Sequence, residues 1–589
     1  MPEDNREPMA PRSVAVGPTA ASSAKGKGRR LFEVRGPLIL VALGLTAAVA
    51  FGLAAFSTPA RAVPSFARQT GQPCATCHTN FPELTPYGRR FKLMGYTITG
   101  GSEPWEVPPI AAMVLPTFTK TKVQQDTPPT NTGGYPDAHV NDNFIMQQAS
   151  LFYGGKIYDN LGAFVQGTYD KADQRTFLDN TDIRYTQTVN IGGVDAIIGV
   201  TANNNPTVQD VWNTTPAWGF PYVGPSLAPA FSPPGTQIEG GWAGTAVGTG
   251  AYVFLNDMLY LETSFYHNMS KGMLGTLGYA CGYNSDYIQN VQAWAGAAYP
   301  AITDIFGTGP VPAWQPFTQN PQNYTLACSS SSLAGASPYW RVALEKNWGE
   351  HSLMVGAFGF YPQVLPGRVM GYGVDYYRDI GLDAQYQYIS GVHALTLQLT
   401  RITEMQNLQA TYAQGIAGQF IANNGILNIY GLPPITGNAS SNPMNYLLSF
   451  KATAGYTWDR TLSGYVSYFH VSGSPDFTLY GNAMLGWLAG GAGANGPVPY
   501  PNGTSPSANG LPNSAGLIFD FAYMPFSKGG PEAWPWANAK IGISYTHYLS
   551  MYGGTSNFDA NGIYYNGSSW RTHSATDNNT LFFYTWIAF

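Results

Sequence analysis

From about Ala111 to the C-terminus the chain is written in segments of around ten residues whose side chains alternate apolar and polar, separated by turn-rich stretches. A period of two is that of a β-strand, so each segment presents one apolar and one polar face. In Tyr446–Trp458, Leu448, Phe450, Ala452, Ala454, Tyr456 and Trp458 share one face, while Ser449, Lys451, Thr453 and Thr457 share the other. Ile380, Leu382, Ala384, Tyr386 and Tyr388 alternate likewise with Gly381, Asp383, Gln385 and Gln387, as do Leu395, Leu397 and Leu399 with Thr396, Gln398 and Thr400. A soluble β-sandwich carries one such strand, not a long series. Repeated down a chain, the pattern is that of a barrel with lipid outside and polar groups in its lumen.

The spacing predicts about sixteen strands, near 111–124, 143–158, 161–171, 177–190, 193–204, 241–256, 258–268, 338–348, 351–363, 377–390, 393–405, 445–458, 461–473, 515–525, 537–550 and 579–589. Every second connection is tight: Asp159-Asn160, Ile191-Gly192, Asn256-Asp257, Gly349-Glu350, Gly391-Val392 and Asp459-Arg460. Most of the others run to tens of residues. Short periplasmic turns and long external loops produce this parity, and it places the N-terminal region on the periplasmic side. The last segment ends on Phe589, an aromatic terminus on an alternating strand. Composition agrees. Only 11% of the 589 residues are charged, against 38 Tyr, 30 Phe, 14 Trp and 68 Gly, and a mean hydropathy of -0.12 argues against a helical membrane protein. No basic stretch follows the N-terminus, so nucleic acid is not an expected partner.

Residues 1–62 read as a cleaved signal peptide. Lys25, Lys27, Arg29, Arg30 and Arg35 precede an apolar run from Pro37 to Phe56, which ends at Ala60-Arg61-Ala62. An uncleaved anchor is the alternative for a run of that length. Of four cysteines, Cys281 and Cys328 share one long polar stretch where an oxidising compartment permits a disulfide.

The other two form Cys74-Ala-Thr-Cys77-His78, the C-x-x-C-H sequence of covalent haem attachment. Two thiols bond the porphyrin vinyl groups, and the adjoining imidazole becomes the proximal iron ligand. A zinc site needs further Cys or His nearby, and the next is His139. A thioredoxin-like dithiol needs a βαβ frame, which the chain lacks. Around the motif run Pro64-Ser-Phe-Ala-Arg-Gln-Thr-Gly71 and Phe81-Pro-Glu-Leu-Thr-Pro-Tyr-Gly-Arg-Arg-Phe-Lys-Leu-Met-Gly-Tyr96. This segment resembles the N-terminal segment of the fused monohaem cytochrome-porins of the bacterial outer membrane, the iron-oxidising outer-membrane cytochrome c type. Asn203–Phe220 is also similar to a stretch of that family. The resemblance implies one covalent haem c held by Cys74, Cys77 and His78.

For the distal iron ligand three readings stand: Met94, a His or Met from the barrel wall, or no protein ligand. Arg89, Arg90 and Lys92 read equally as partners of the haem propionates or as a solvated helix face. A segment of roughly 45 residues is near the size at which a chain needs help to hold a core. It is therefore expected to pack in or against the periplasmic mouth of the barrel.

The expected organisation is a signal peptide (1–62), a small α-helical cytochrome c segment (63–108) and an antiparallel outer-membrane barrel (109–589). The expected activity is electron transfer, with an Fe(II) oxidase-like reaction implied by the resemblance. The expected partners are extracellular Fe(II) or another donor, a periplasmic cytochrome or copper protein, and outer-membrane lipid. Two other readings remain open: electron export to an external acceptor, and a transport porin with a haem-bearing plug. Sixteen strands are enough to leave an aqueous channel. The lumen-facing carboxylates Asp383, Glu262 and Asp520 are loose candidates for contacting incoming iron. From Ala410 to Tyr446 and from Phe477 to Gly516 there is no Asp, Glu, Lys or Arg. Loops without carboxylates suit an acidic exterior, since they have nothing to protonate; they equally suit a polar cap with no such purpose.

Overall fold

The computed structural model describes residues 64–101, 108–123, 139, 141–172, 175–227, 232–277, 331–366, 372–413, 440–476, 479–480, 507, 509–531, 536–556, 564–565, 570–571 and 574–589. Every described residue falls in the unit Phe56–Phe589. The expected signal peptide and the Cys281–Cys328 pair lie outside the described residues.

Sixteen long strands make the wall: β1 (Ile110–Thr121), β2 (Asn143–Tyr158), β3 (Leu161–Asp170), β4 (Arg175–Ile191), β5 (Val194–Asn203), β6 (Ala246–Leu255), β7 (Leu259–Asn268), β8 (Ser337–Trp348), β9 (His351–Phe360), β10 (Asp375–Ser390), β11 (His393–Asn407), β12 (Met444–Trp458), β13 (Leu462–Gly473), β14 (Ser514–Tyr523), β15 (Asn538–Ser550) and β16 (Thr580–Ala588). Each pairs antiparallel with its sequence neighbours. The sheet closes because β1 also pairs with β16, Met113 opposite Ala588 and Thr121 opposite Thr580. Closure leaves no edge strand with unpaired amides. Two short strands, Ser331–Leu333 and Gln363–Pro366, pair with each other, and the second also pairs with β10 through Gln363 opposite Tyr376.

All sixteen expected segments are strands, with ends shifted by a few residues at most in nearly every case. The β5–β6 connection is longer than expected, because strand β6 begins at Ala246 rather than near 241. One rim carries the tight turns. Asn256-Asp257 (φ 52° and 51°) and Asp459-Arg460 (φ 52° and 56°) are left-handed at both central positions, the geometry that follows strand twist through a two-residue hairpin. The same rim has one longer connection, 524–537.

Alternation survives closure as written. Asn445, Leu447, Ser449, Thr453 and Thr457 point inward and are buried, while Tyr446, Tyr456 and Trp458 are exposed. Round the outside, Phe144, Leu151, Val200, Phe265, Leu344, Leu382, Met405 and Phe521 are exposed, Phe144 by 70%. Tyr158, Trp348 and Trp458 are exposed just before tight turns, as an interfacial aromatic girdle requires. An apolar exterior on a closed sheet is the form in which β-structure crosses lipid, because every backbone group is already bonded. Among the described residues no helix is long and apolar enough to cross a membrane.

The lumen is packed rather than open over much of its section. On the β6–β9 side it holds Trp212, Tyr260, Tyr266, Tyr339, Phe358 and Phe360, all fully buried.

Candidate functional site

Three short helices precede the wall: α1 (Pro64–Thr70), α2 (Cys74–Cys77) and α3 (Pro86–Leu93). Pro86 opens α3 at a position where its missing N–H is no loss, and the Thr85 hydroxyl caps it by accepting from Gly88 N at 3.2 Å. A Cβ on Gly88 would lie 2.3 Å from Cys77 O. Only glycine lets α3 cross the cysteine turn this closely. Thr85 fastens the two together, its N–H donating to Cys77 O at 2.8 Å and its hydroxyl to Thr76 O at 2.6 Å.

Cys74, Cys77 and His78 therefore share one turn, closed by His78 N donating to Cys74 O at 2.9 Å. Both thiols are buried and unpaired. Burial pushes the Cys77 thiol up to about 12 and raises Cys74, which also feels Cys77. His78 Nδ1 lies 3.1 Å from Pro82 O. A carbonyl only accepts, so Nδ1 carries the proton and Nε2 keeps its lone pair. Burial lowers the imidazole to about 4, so it is neutral at physiological pH. Two free thiols in one turn, followed by an imidazole whose Nδ1 is oriented by a carbonyl, form the donor set that a covalently attached porphyrin needs.

The turn sits inside the tight-turn rim. Ala75 N donates to Ser527 O at 2.9 Å, and Trp536 packs on Ala67 and Cys74. Both partners belong to the long 524–537 connection, which is long because it cradles this segment. Phe81 stands edge-on to His78 and to Trp586 of β16, with centroids 5.1 and 4.8 Å away. Glu83, fully buried, accepts from Thr396 at 2.6 Å, Tyr222 at 2.8 Å and Tyr465 at 3.0 Å, and from Thr79. One carboxylate thus ties residues 79–84 to two walls.

Arg89 and Lys92 are neither solvated nor waiting for a ligand. Arg89 donates to Gln387 at 2.7 Å, Gln385 at 3.1 Å, Ser352 at 2.6 Å and Glu345 at 3.1 Å. Lys92 Nζ donates to the carbonyls of Val208 and Asp210, both at 2.7 Å. Only Arg90 is at the surface, paired with Asp257 at 2.7 Å. For Arg89 and Lys92 the face expected to meet either propionates or solvent is the anchoring face, because the surface meeting it is a barrel wall from distant sequence.

Met94 packs with Leu93, Ile197, Val211 and Trp212, and its sulfur meets the Thr188 hydroxyl of β4 at 3.6 Å. The structure thus brings Met94 to the β4–β5 wall, four strands round the barrel from Trp586 on β16. A different methionine, Met113 of β1, is buried beside Trp586 in a cavity of about 180 Å³.

A second segment enters from the opposite rim. Residues 204–227, between β5 and β6, fold into the lumen and meet the cysteine segment. Leu84 N donates to Asn213 Oδ1 at 3.0 Å, and Trp212 Nε1 donates to Glu345, the residue that Arg89 also holds. Asp210 lies 3.4 Å from Arg341, itself 2.6 Å from Asp383. Asp383, Glu262 and Asp520 all face inward as expected, and each has protein partners: Arg341, the Tyr260 hydroxyl and the Tyr584 hydroxyl. Among the described residues no group of three His, Cys, Asp or Glu could hold a metal ion. Above the two segments a cavity of about 410 Å³ remains, bounded by Phe220, Glu239, Gln398, Lys451, Thr546 and Tyr548 among others.

Sequence reasoning missed Glu83, Glu345 and Asp210 as the residues that seat these segments. The available signal was the charge scarcity itself, since in a chain so poor in charge each lumenal carboxylate needs a reason.

No family model matches the chain, and no curated protein matches it. Solved structures do. The outer membrane channel DcaP of Acinetobacter baumannii is 8% identical over 82% of this chain and 96% of its own, with a TM-score of 0.37. OmpF of Salmonella typhi, in complex with daunomycin, is 10% identical over 82% and 97%, with a TM-score of 0.35. Outer-membrane expressed OmpT of Vibrio cholerae is 7% identical over 82% and 96%, with a TM-score of 0.32. The barrel assignment rests on the strand pairings themselves.

Proposed function

We propose that the chain is an outer-membrane electron conduit of the monohaem cytochrome-porin kind, a barrel that oxidises extracellular Fe(II) through one covalent haem c and passes the electron to a periplasmic cytochrome or copper protein. The observation that carries this reading is the Cys74–His78 turn, with free thiols and an imidazole oriented through Nδ1, seated in the lumen of a barrel with an apolar exterior.

When bound, the porphyrin iron supplies a one-electron acceptor and donor. The chain supplies everything else. Cys74 and Cys77 would hold the group by thioethers and His78 by Nε2, with Pro82 O fixing the ring. Arg89, Lys92 and Glu83 keep the segment in place, and residues 204–227 close the lumen above it. Electron transfer needs close approach and no acid–base constellation. Fe(II) follows from the family resemblance, and oxidising it outside keeps insoluble Fe(III) out of the cell.

A transport porin with a haem-bearing plug is the second reading, favoured by the 410 Å³ lumenal cavity, whose lining mixes apolar residues such as Phe220, Ile402 and Val471 with Gln398, Thr400 and Lys451. Export of electrons to an external acceptor uses the same parts in reverse. The test is purification from a host with haem-ligation machinery, followed by a covalent-haem gel stain, stopped-flow mixing with Fe(II), and bilayer conductance. A red protein, reduced by Fe(II) and closed to ions, is expected. A colourless one ends the conduit reading. A red one inert to Fe(II) removes iron as donor, and an ohmic pore favours transport.

A further inference from the structure

We infer that the corner where β12 turns into β13 seats a carboxylate of the porphyrin, held by Arg460 together with Ser463. The inference rests on the haem reading above.

The corner is built from both ends of the chain. Asp459 and Arg460 form the tight turn, and Thr457 and Ser463 oppose each other across it, both inward. Asn80, two residues beyond His78 and fully buried, comes from the cysteine segment. Here Ser463 Oγ, Arg460 Nη1 and Asn80 Oδ1 are buried without a hydrogen-bond partner. Tyr465 gives its own proton to Glu83 at 3.0 Å, while its hydroxyl oxygen accepts from Asn80 and Thr457. Buried polar atoms are almost always satisfied, and several orphans in one corner mark a polar occupant.

The orphans also state its chemistry. The Ser463 hydroxyl and the Arg460 guanidinium N–H donate, and an ionised carboxylate accepts at about four positions, while Asn80 Oδ1 is an acceptor and is left to a water proton. A guanidinium is the group best suited to such an anion. Among the described residues no carboxylate forms an ion pair with Arg460. Of the acids in its field, Asp459 is paired with Lys528 and Glu83 is taken by hydroxyl donors. The basic residues nearer in sequence, Arg89, Arg90 and Lys92, are already engaged with protein. A porphyrin tethered through its vinyl edge at Cys74 and Cys77 carries its two propionates on the opposite edge, so a carboxylate seat is needed beyond His78 and away from the thiols.

The test uses haem-loaded full-length protein, comparing the parent with Arg460→Gln, Arg460→Lys and Ser463→Ala by redox titration and by the propionate band of the resonance Raman spectrum. Arg460→Gln should lower the midpoint potential, because losing a cation favours the more positive oxidised iron, and should shift the propionate band. Arg460→Lys should restore most of the potential but not the band, and Ser463→Ala should move the band alone. A parent-like potential and band in the Gln variant at full haem content would overturn the inference and leave the corner to buried water. If Arg460→Gln fails to assemble, an unmoved band in Ser463→Ala has the same consequence. A colourless parent defeats the haem reading instead.

Discussion

The Arg89 guanidinium lies 3.1 Å from the Glu345 carboxylate, in surroundings that leave 2% and 5% of the two side chains exposed. Glu345 also accepts from Trp212 Nε1, so one wall residue fastens both segments that fill the lumen. Removing one partner of a buried pair leaves an uncompensated charge, at a cost of about 3–5 kcal/mol. Arg89→Ala and Glu345→Ala should therefore unseat the filling without unfolding the wall. Bilayer recordings should show raised conductance and proteolysis should cut within residues 64–101, while heat-dependent gel mobility of the barrel stays as in the parent. Unchanged conductance and protection in both variants would contradict the anchoring role.

Gly88→Ala tests the crossing of α3 over the cysteine turn. A new methyl 2.3 Å from Cys77 O cannot be accommodated without backbone movement. The thiols and His78 should lose their common geometry, and the haem-stained fraction should fall several-fold at equal protein. Gly101→Ala, also against backbone but outside the turn, is the comparison.

Cys74→Ser with Cys77→Ser should abolish the covalent-haem stain while leaving the barrel folded, because neither thiol carries a hydrogen bond or disulfide that the wall depends on. A stained band in the double variant would mean attachment elsewhere.

Acid should act at the loop roots. Asp476 accepts from Ser441 N and Leu479 N at 2.9 Å, from Asn445 Nδ2 at 2.8 Å, and from Ser440, clasping the end of the first charge-free stretch to the start of the second. Burial raises its pKa, but the bonds from Ser440, Ser441, Leu479 and Asn445 outweigh it and hold the carboxyl below the ordinary range. A depressed folded pKa contributes stability above the unfolded value, about 4, which is lost as pH falls through the folded one. Protease protection near residues 440–445 and 474–480 should thus persist from pH 7 to about 4 and decline below it. In Asp476→Asn the protection should be weaker and flat with pH. An invariant parent would mean the clasp does not govern the loops.

Much of the barrel could be read from a single strand at a time. The alternation in Tyr446–Trp458 decides which side chains face lipid, and the tight pairs Asn256-Asp257 and Asp459-Arg460 decide where the chain reverses. Both are local, since a period of two and a two-residue turn need no knowledge of the partner strand. The donor set was legible for the same reason, because Cys74, Cys77 and His78 occupy five consecutive positions.

What fills the lumen was not local. Arg89 read equally as a propionate partner or a solvated residue because Glu345 and Gln387 stand 256 and 298 residues away, and only closure of β1 on β16 brings their strands over the helix. Met94 looked available to iron because sequence cannot say which wall a helix end will touch, and it touches Thr188. The amino-acid order alone determined the strands, their faces and the chemistry of one turn, because those depend on neighbours within a few residues. Where that turn sits, what anchors it and which polar groups are left over around it were decided by the barrel, because closing a sheet of sixteen strands sets distances between residues that the chain itself keeps hundreds of positions apart.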